Sequence, residues 1–282
     1  MNIDIAWLAA QFADLRNLAP LSQGGQKLVA SATHARDGDI VLKLIRPDQD
    51  VEATQREILA VLKVHSSRVP PIHEHGQITT PIGDCVWLRE QRIIGQNVRE
   101  LLNAGALPPD QFLRLGLHVL EALVAAEAAE IVHRDVKPEN IIRDTSGNFW
   151  LIDFGIARHL TLSSLTSTGD IWGKATLGYA PTEQVRNLKP DIDARSDLFA
   201  LGVTLYETMT GRHPFLYPPA NAIEVLRRVE NDRLMPLSLT FAGGAELWDL
   251  IAAMTQKRRD LRPRTALEAF TWMRDICTQF GL

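Results

Sequence analysis

The chain carries Asp135, Lys137 and Asn140 within His133-Arg134-Asp135-Val136-Lys137-Pro138-Glu139-Asn140, and Asp153 opens Asp153-Phe154-Gly155 a short way downstream. Two carboxylates, an amide and an ammonium at this spacing are the groups needed to hold a magnesium–nucleotide and to aim a hydroxyl at its terminal phosphate. Asp135 suits a general base that accepts the hydroxyl proton; in a loose phosphoryl transition state its larger effect is to orient that hydroxyl. Lys137, two residues on, points the same way and would neutralise charge on the moving group. Asn140 and Asp153 offer hard oxygen ligands of the kind Mg²⁺ (or Mn²⁺) takes while keeping several waters. The plainer reading, in which Asp135 and Asp153 only cap loops, leaves the coincidence of four such groups without a reason.

Such groups act only if rigid elements hold them. Residues 140–143 and 149–152 read as short strands around Ser146-Gly147-Asn148, a hairpin that brings the two acidic loops side by side. Pro109-Asp110 opens a long helix, rich in Leu and Ala, that runs to about Glu130, just before the first loop. Residues 198–206 are apolar on nearly every face, so they predict a helix buried all round at the centre of a helical region. Further helices are expected around 220–231, 245–256 and 265–279. Upstream the pattern changes to strands: 28–34 and 39–45 flank the hairpin signal Arg36-Asp37-Gly38, and 72–78 and 84–91 follow a helix at about 51–64. Ile3, Trp7, Ala10, Leu15 and Leu18 recur near helical spacing and predict a leader helix ending at Pro20. The expectation is a strand-rich lobe of about 20–90, a helical lobe of about 95–282 and a cleft between them.

With 282 residues, 45% hydrophobic and 23% charged, the chain has the composition of a soluble globular protein with ample core. A net charge of −4 gives no reason to expect a nucleic-acid partner, and Lys257-Arg258-Arg259, with Arg262 and Arg264, reads as a solvated loop. Cys85 and Cys277 stand far apart without metal spacing and read as reduced core thiols, which fits a cytoplasmic protein. No secretory signal is visible, and the longest apolar stretch, 198–206, is too short for a membrane span.

The loop string and its companion Asp153-Phe154-Gly155 resemble those of the eukaryotic-like (Hanks-type) Ser/Thr protein kinases, in a bacterial-type stand-alone kinase domain. The resemblance runs from Leu21 to about Phe280. It implies an α+β, bilobal protein-kinase-like fold: a leader helix over 1–20, an N-lobe over 21–94 with a small antiparallel β-sheet and one main helix, and a larger, mainly helical C-lobe over 95–282. It also implies transfer of the γ-phosphate of ATP to protein hydroxyls, Lys137 being the residue that separates Ser/Thr from tyrosine kinases in that family. Lys43, in Ile40-Val41-Leu42-Lys43, matches the nucleotide-binding lysine, with Glu57 as its ion-pair partner. In the glycine loop that starts at Leu21, Gly24 and Gly25 permit a tight turn near phosphate, but Ser22 and Lys27 replace the family's first and third glycines. Leu21, Val29 and Val41 would wall the adenine, and 86–95, which contains Glu90, would be a hinge one residue longer than the common form.

Beyond Asp153 the resemblance implies an activation segment that ends at Pro181-Thr182-Glu183, where the family has Ala-Pro-Glu. Glu183 would pair with Arg262, Thr176 would hydrogen-bond towards Asp135 and Lys137, and Asp197 would cap the catalytic-loop backbone. Arg134 is a cation in need of an anion, and Leu165-Thr166-Ser167-Thr168 would supply one by autophosphorylation at Thr166 and/or Thr168, in a transient homodimer. A flexible polar loop is the plainer reading of that stretch. Two rival functions stand beside the kinase. A pseudokinase or scaffold is favoured only by the altered glycine loop and the Pro-Thr-Glu. A small-molecule phosphotransferase would share the aspartates but lacks the Arg134–Lys137 pattern and the Glu183–Asp197–Arg262 framework. The protein substrate and the upstream signal leave no mark in the sequence.

Overall fold

The structure, a computed structural model, describes residues 3–23, 27–46, 58–154 and 177–282. Within these, two compact units separate: one drawn from Met1–His65 and Pro70–Ile93, the other from Ser66–Val69, Ile94–Phe154 and 177–282.

The first unit is a five-stranded antiparallel sheet of β1 (Leu15–Gln23), β2 (Lys27–His34), β3 (Gly38–Ile45), β4 (Ile72–Thr80) and β5 (Gly83–Gln91), in the order β1-β2-β3-β5-β4. Gly38 takes the β2–β3 turn at φ 72°, a conformation that glycine adopts without steric penalty. Alternation gives the sheet two faces. On one, Leu28, Ala30, Ile40, Leu42 and Leu44 form a core with Ile3, Leu8 and Phe12, which flank or belong to α1 (Ile5–Gln11). Asp4 caps that helix by accepting from Ala6 N at 2.9 Å. The other face carries Val29, Val41, Lys43, Leu88 and Glu90, with Ile58 packed against Ile45, Val86 and Leu88.

The leader differs from the expectation. The helix stops at Gln11, and Leu15 and Leu18 belong to β1, where Leu15 lies opposite His34 and Arg16 opposite Thr33. The open edge of β2 takes these residues as a strand, and Asn17 at φ 55° interrupts any helical path. Of the helix expected at about 51–64, residues 51–57 lie outside the described residues and 58–61 are helical.

The second unit builds on a three-stranded sheet, β6 (Gly95–Asn97), β7 (Ile141–Asp144) and β8 (Phe149–Leu151), and the helices α2 (Val98–Leu102), α3 (Pro109–Ala128), α4 (Thr182–Val185), α5 (Ala194–Thr210), α6 (Ala222–Asn231), α7 (Gly244–Met254) and α8 (Ala266–Phe280). The sequence reading contained neither β6 nor α2. Asn97 and Glu100 close α2 with a reciprocal capping box, the Asn97 side chain accepting from Glu100 N at 2.9 Å. The central α5 starts where Asp193 accepts from Arg195 N at 2.9 Å and ends at Gly211, φ 69°. Leu198, Phe199, Leu201, Val203 and Leu205 along it are all buried, as its unbroken apolar pattern requires. Gly202 lets the end of α7 approach: a Cβ there would lie 2.6 Å from Thr255 Cγ2.

Candidate active site

The β7–β8 hairpin sets two of the predicted ligands side by side. Ile141 pairs with Leu151, Ile152 N donates to Asn140 O at 2.9 Å, and Asp153 follows directly. Asn140 Nδ2 donates to the Asp135 carbonyl and to Asp135 Oδ2, both at 2.8 Å, while Lys137 Nζ lies 3.0 Å from Asp135 Oδ1. Asp135 and Lys137 are 14% and 15% exposed at their side chains, so the carboxylate is fixed from both sides yet reachable. The structure therefore brings together Asp135, Lys137, Asn140 and Asp153 within one unit.

What holds the loop is Asp197, near the start of α5. Its two oxygens accept from His133 N and Arg134 N, each at 2.7 Å. Burial pushes its carboxyl up to about 7, against the pull of the two amides. Arg134 sits at φ 65° and Asp153 at φ 60°, left-handed conformations that cost a non-glycine residue about 1 kcal/mol or more and persist only where neighbours over-determine them. For Arg134 the neighbours are Asp197 below its N–H and Gln184 Nε2, which donates to its carbonyl at 2.6 Å. His133 ties the two loops: its Nδ1 accepts from Asp135 N at 3.3 Å, its Nε2 donates to Ile152 O at 3.0 Å, and its ring lies 4.5 Å from that of Phe154.

Besides the Gln184 bond to Arg134, two points fasten the segment from Leu177 to Val185. Glu183 and Arg262 form a buried fork, Nη1 to Oε1 at 2.6 Å and Nη2 to Oε2 at 3.3 Å, and Ser196 Oγ adds a bond to Oε1 at 3.0 Å. The second point was not foreseen. Arg99, on α2, donates to Glu139 at 2.8 Å, to Glu207 at 2.7 Å and to the Tyr179 hydroxyl at 2.6 Å, and Tyr179 in turn donates to Glu207. One guanidinium thus joins the catalytic loop, the central helix and the segment before Glu183. Burial, then Glu207, pushes the Tyr179 phenol well above its usual range, so it stays a donor.

In the sheet unit, Lys43 is paired with Glu90, both almost fully buried on the face that carries half-buried Val29 and Val41. Val29 lies opposite Lys43 and Val41 opposite Glu90, so the four form one patch. Leu21 is half exposed in β1. The stretch expected to be a hinge is strand as far as Gln91, with Glu90 inside the sheet between Val41 and Ile72; it reaches the patch with its side chain.

Residues 15–272 match the sequence profile of the protein kinase domain. The chain belongs to the protein kinase family. It is 34% identical over 216 residues, 74% of this chain and 52% of that one, to the serine/threonine-protein kinase PknL of Mycobacterium tuberculosis. It is 31% identical over 271 residues, 92% of this chain and 38% of that one, to the PknB protein of Bifidobacterium longum. To the serine/threonine-protein kinase PknD of M. tuberculosis it is 32% identical over 222 residues, 76% of this chain and 32% of that one. The chain spans about half the length, or less, of these curated relatives.

Protein kinases use ATP and a divalent metal ion, and the residues present fit the metal. Asn140 spends its Nδ2 on Asp135, which leaves Oδ1 as the oxygen that would ligate a cation, and Asp153 follows Ile152, whose N–H is bonded to the Asn140 carbonyl. Among the described residues no group of three or more His, Cys, Asp or Glu forms an all-protein cage. A cation held by one amide and one carboxylate draws its remaining ligands from phosphate and water. Among the described residues no helix is long and apolar enough to cross a membrane. Gly24, Gly25, Glu57, Thr166, Thr168 and Thr176, all expected to matter in this kinase domain, lie outside the described residues. Gln184 and the Arg99 hub escaped the sequence reading because their partners stand 40 to 108 positions away, with no local pattern to mark them.

Proposed function

We propose that this chain is a Ser/Thr protein kinase that transfers the γ-phosphate of ATP, with Mg²⁺, to hydroxyl groups of a protein. The observation that carries the reading is the Asp135–Asn140–Lys137 set, with its carboxylate bonded on both oxygens and its backbone held by Asp197. Asp135 Oδ1 or Oδ2 accepts a hydrogen bond from the substrate hydroxyl and takes its proton as the phosphoryl group moves. Lys137 stays beside that carboxylate and offsets negative charge on the transferring group. Asn140 and Asp153 would hold Mg²⁺, which supplies charge neutralisation on the phosphates. Lys43, set by Glu90, would bind the α- and β-phosphates, and Val29 and Val41 would line the adenine. The sequence adds Thr166 and Thr168 as sites of autophosphorylation in a transient homodimer, and the paucity of cysteine adds a cytoplasmic setting.

The test is incubation with γ-labelled ATP and Mg²⁺, comparing wild type with Asp135→Asn and Lys43→Met. Label on serine or threonine of wild type, reduced about 10²-fold or more in Asp135→Asn, is expected. Wild type that binds nucleotide but gives no label on itself or on added protein overturns the reading in favour of a pseudokinase.

A further inference from the structure

Arg89 precedes Glu90 in β5, and alternation sends its side chain to the opposite face of the sheet. There the guanidinium is almost fully buried and is held by two carboxylates: Nη1 donates to Asp14 Oδ2 at 2.6 Å, and Nη2 donates to Glu74. It also lies 6.0 Å over the Trp87 ring, which Phe12 meets edge-on at 5.1 Å. A buried guanidinium tolerates few orientations, because each must keep its charge compensated. Asp14 closes the leader that begins with α1, and its carboxyl is held below the usual range chiefly by the bond to Arg89. Glu74 stands on β4 at the place where the ladder is irregular: Ile72 lies opposite Glu90 and Glu74 opposite Arg89, so one residue of β4 bulges just there. A bulge loosens the backbone's grip on register and direction. The side-chain clamp spans it.

We propose that Arg89 is a positioning residue for nucleotide binding: clamped by Asp14 and Glu74 on one face, it fixes the direction of Glu90 on the other and so the place of the Lys43 ammonium. This makes the leader over residues 3–14, which carries none of the reacting groups, part of the device that prepares the nucleotide site. The inference rests on the reading of Lys43 as the phosphate-binding lysine.

The experiment is titration of the full chain with a fluorescent ATP analogue and Mg²⁺, alongside KM for ATP and for dephosphorylated casein. Arg89→Met is expected to weaken nucleotide binding and raise KM for ATP about tenfold while casein KM stays within about twofold. Asp14→Asn, at a half-exposed position that leaves the fold intact, gives about a threefold change in the same direction, and Arg89→Lys recovers part of the loss. In a Glu90→Gln background, either change adds less than about twofold, because the route through Glu90 is already cut. Full losses in both backgrounds, or parallel rises in both KM values, overturn the inference; should Arg89→Met not fold, Asp14→Asn in the two backgrounds decides alone. Failure of the kinase reading shows separately, as absent phosphate transfer by wild type or as unaltered nucleotide binding by Lys43→Met.

Discussion

Replacing Arg262 by methionine removes the most heavily bonded side chain described in the helical unit. Arg262 is 1% and Glu183 7% exposed at the side chain, so their attraction acts where water does not screen it. The guanidinium also donates to the carbonyls of Gln256 at 2.8 Å, Arg195 at 3.1 Å and Lys257 at 3.3 Å, and it stacks 4.9 Å from the Phe199 ring. Removing one member of a buried pair strands the other charge, at a cost of about 3–5 kcal/mol. Three carbonyls that lose a donor add roughly 1 kcal/mol or more. The expected total is about 4–6 kcal/mol, or a fall in Tm of roughly 10 °C for a chain of this size. Arg262→Met combined with Glu183→Leu removes both charges, and about 2–3 kcal/mol of loss should remain. Removing the second partner should therefore restore stability to the first variant. The assay is urea unfolding followed by both tryptophan fluorescence and circular dichroism, whose coincidence licenses a two-state free energy. A loss below about 1 kcal/mol for Arg262→Met, or a double variant no more stable than the sum of the singles, would refute the reasoning. Activity should fall with stability, because Gln184, next to Glu183, holds the Arg134 carbonyl of the catalytic loop.

Gly178→Ala should destabilise by about 1–3 kcal/mol, since its Cβ would lie 2.4 Å from His213 Cε1 and 2.6 Å from Nε2; unchanged thermal melting would show that the ring can move aside. Burial holds His213 down to about 3 and His118 down to about 4, so both stay neutral in the folded protein. Unfolded, each takes a proton below about pH 6.5, so the stability they confer is full above that pH and is lost as pH falls. Near pH 5 the two contribute a slope of up to about 2.7 kcal/mol per pH unit, and His213→Gln should remove about half of it in urea midpoints measured around that pH. Tyr179→Phe leaves Arg99 and Glu207 short of a buried partner and should cost about 1–2 kcal/mol, together with a raised KM for protein substrate at unchanged KM for ATP; equal effects on both KM values would argue that the hub is purely structural.

Much of the site was legible in the sequence because its groups lie close together on one chain segment. Asp135, Lys137 and Asn140 fall within six consecutive positions, and a short hairpin with a glycine turn could bring only one thing beside them, the loop that starts at Asp153. The central helix was equally plain, since a run apolar on every face has no stable place except a core. The long-range Glu183–Arg262 and Asp197 contacts came from the resemblance to a family, not from any local pattern. Tertiary structure alone decided the rest. Residues 15–18 satisfy a helical period as well as a strand, and the open edge of β2 settles the matter in favour of the strand. Lys43 and Glu90 stand 47 positions apart in sequence, yet β3 and β5 are neighbours in the sheet and share a face, so the pair forms across the ladder. Arg99 could have read as a solvated residue on a short helix; only the folding of three distant segments around it makes it a half-buried hub. The sequence by itself determined which chemical groups are present and which local elements carry them. Which charges meet, and which residues of the leader become sheet, was decided by long-range packing, where burial makes an unpaired charge costly and leaves few arrangements standing.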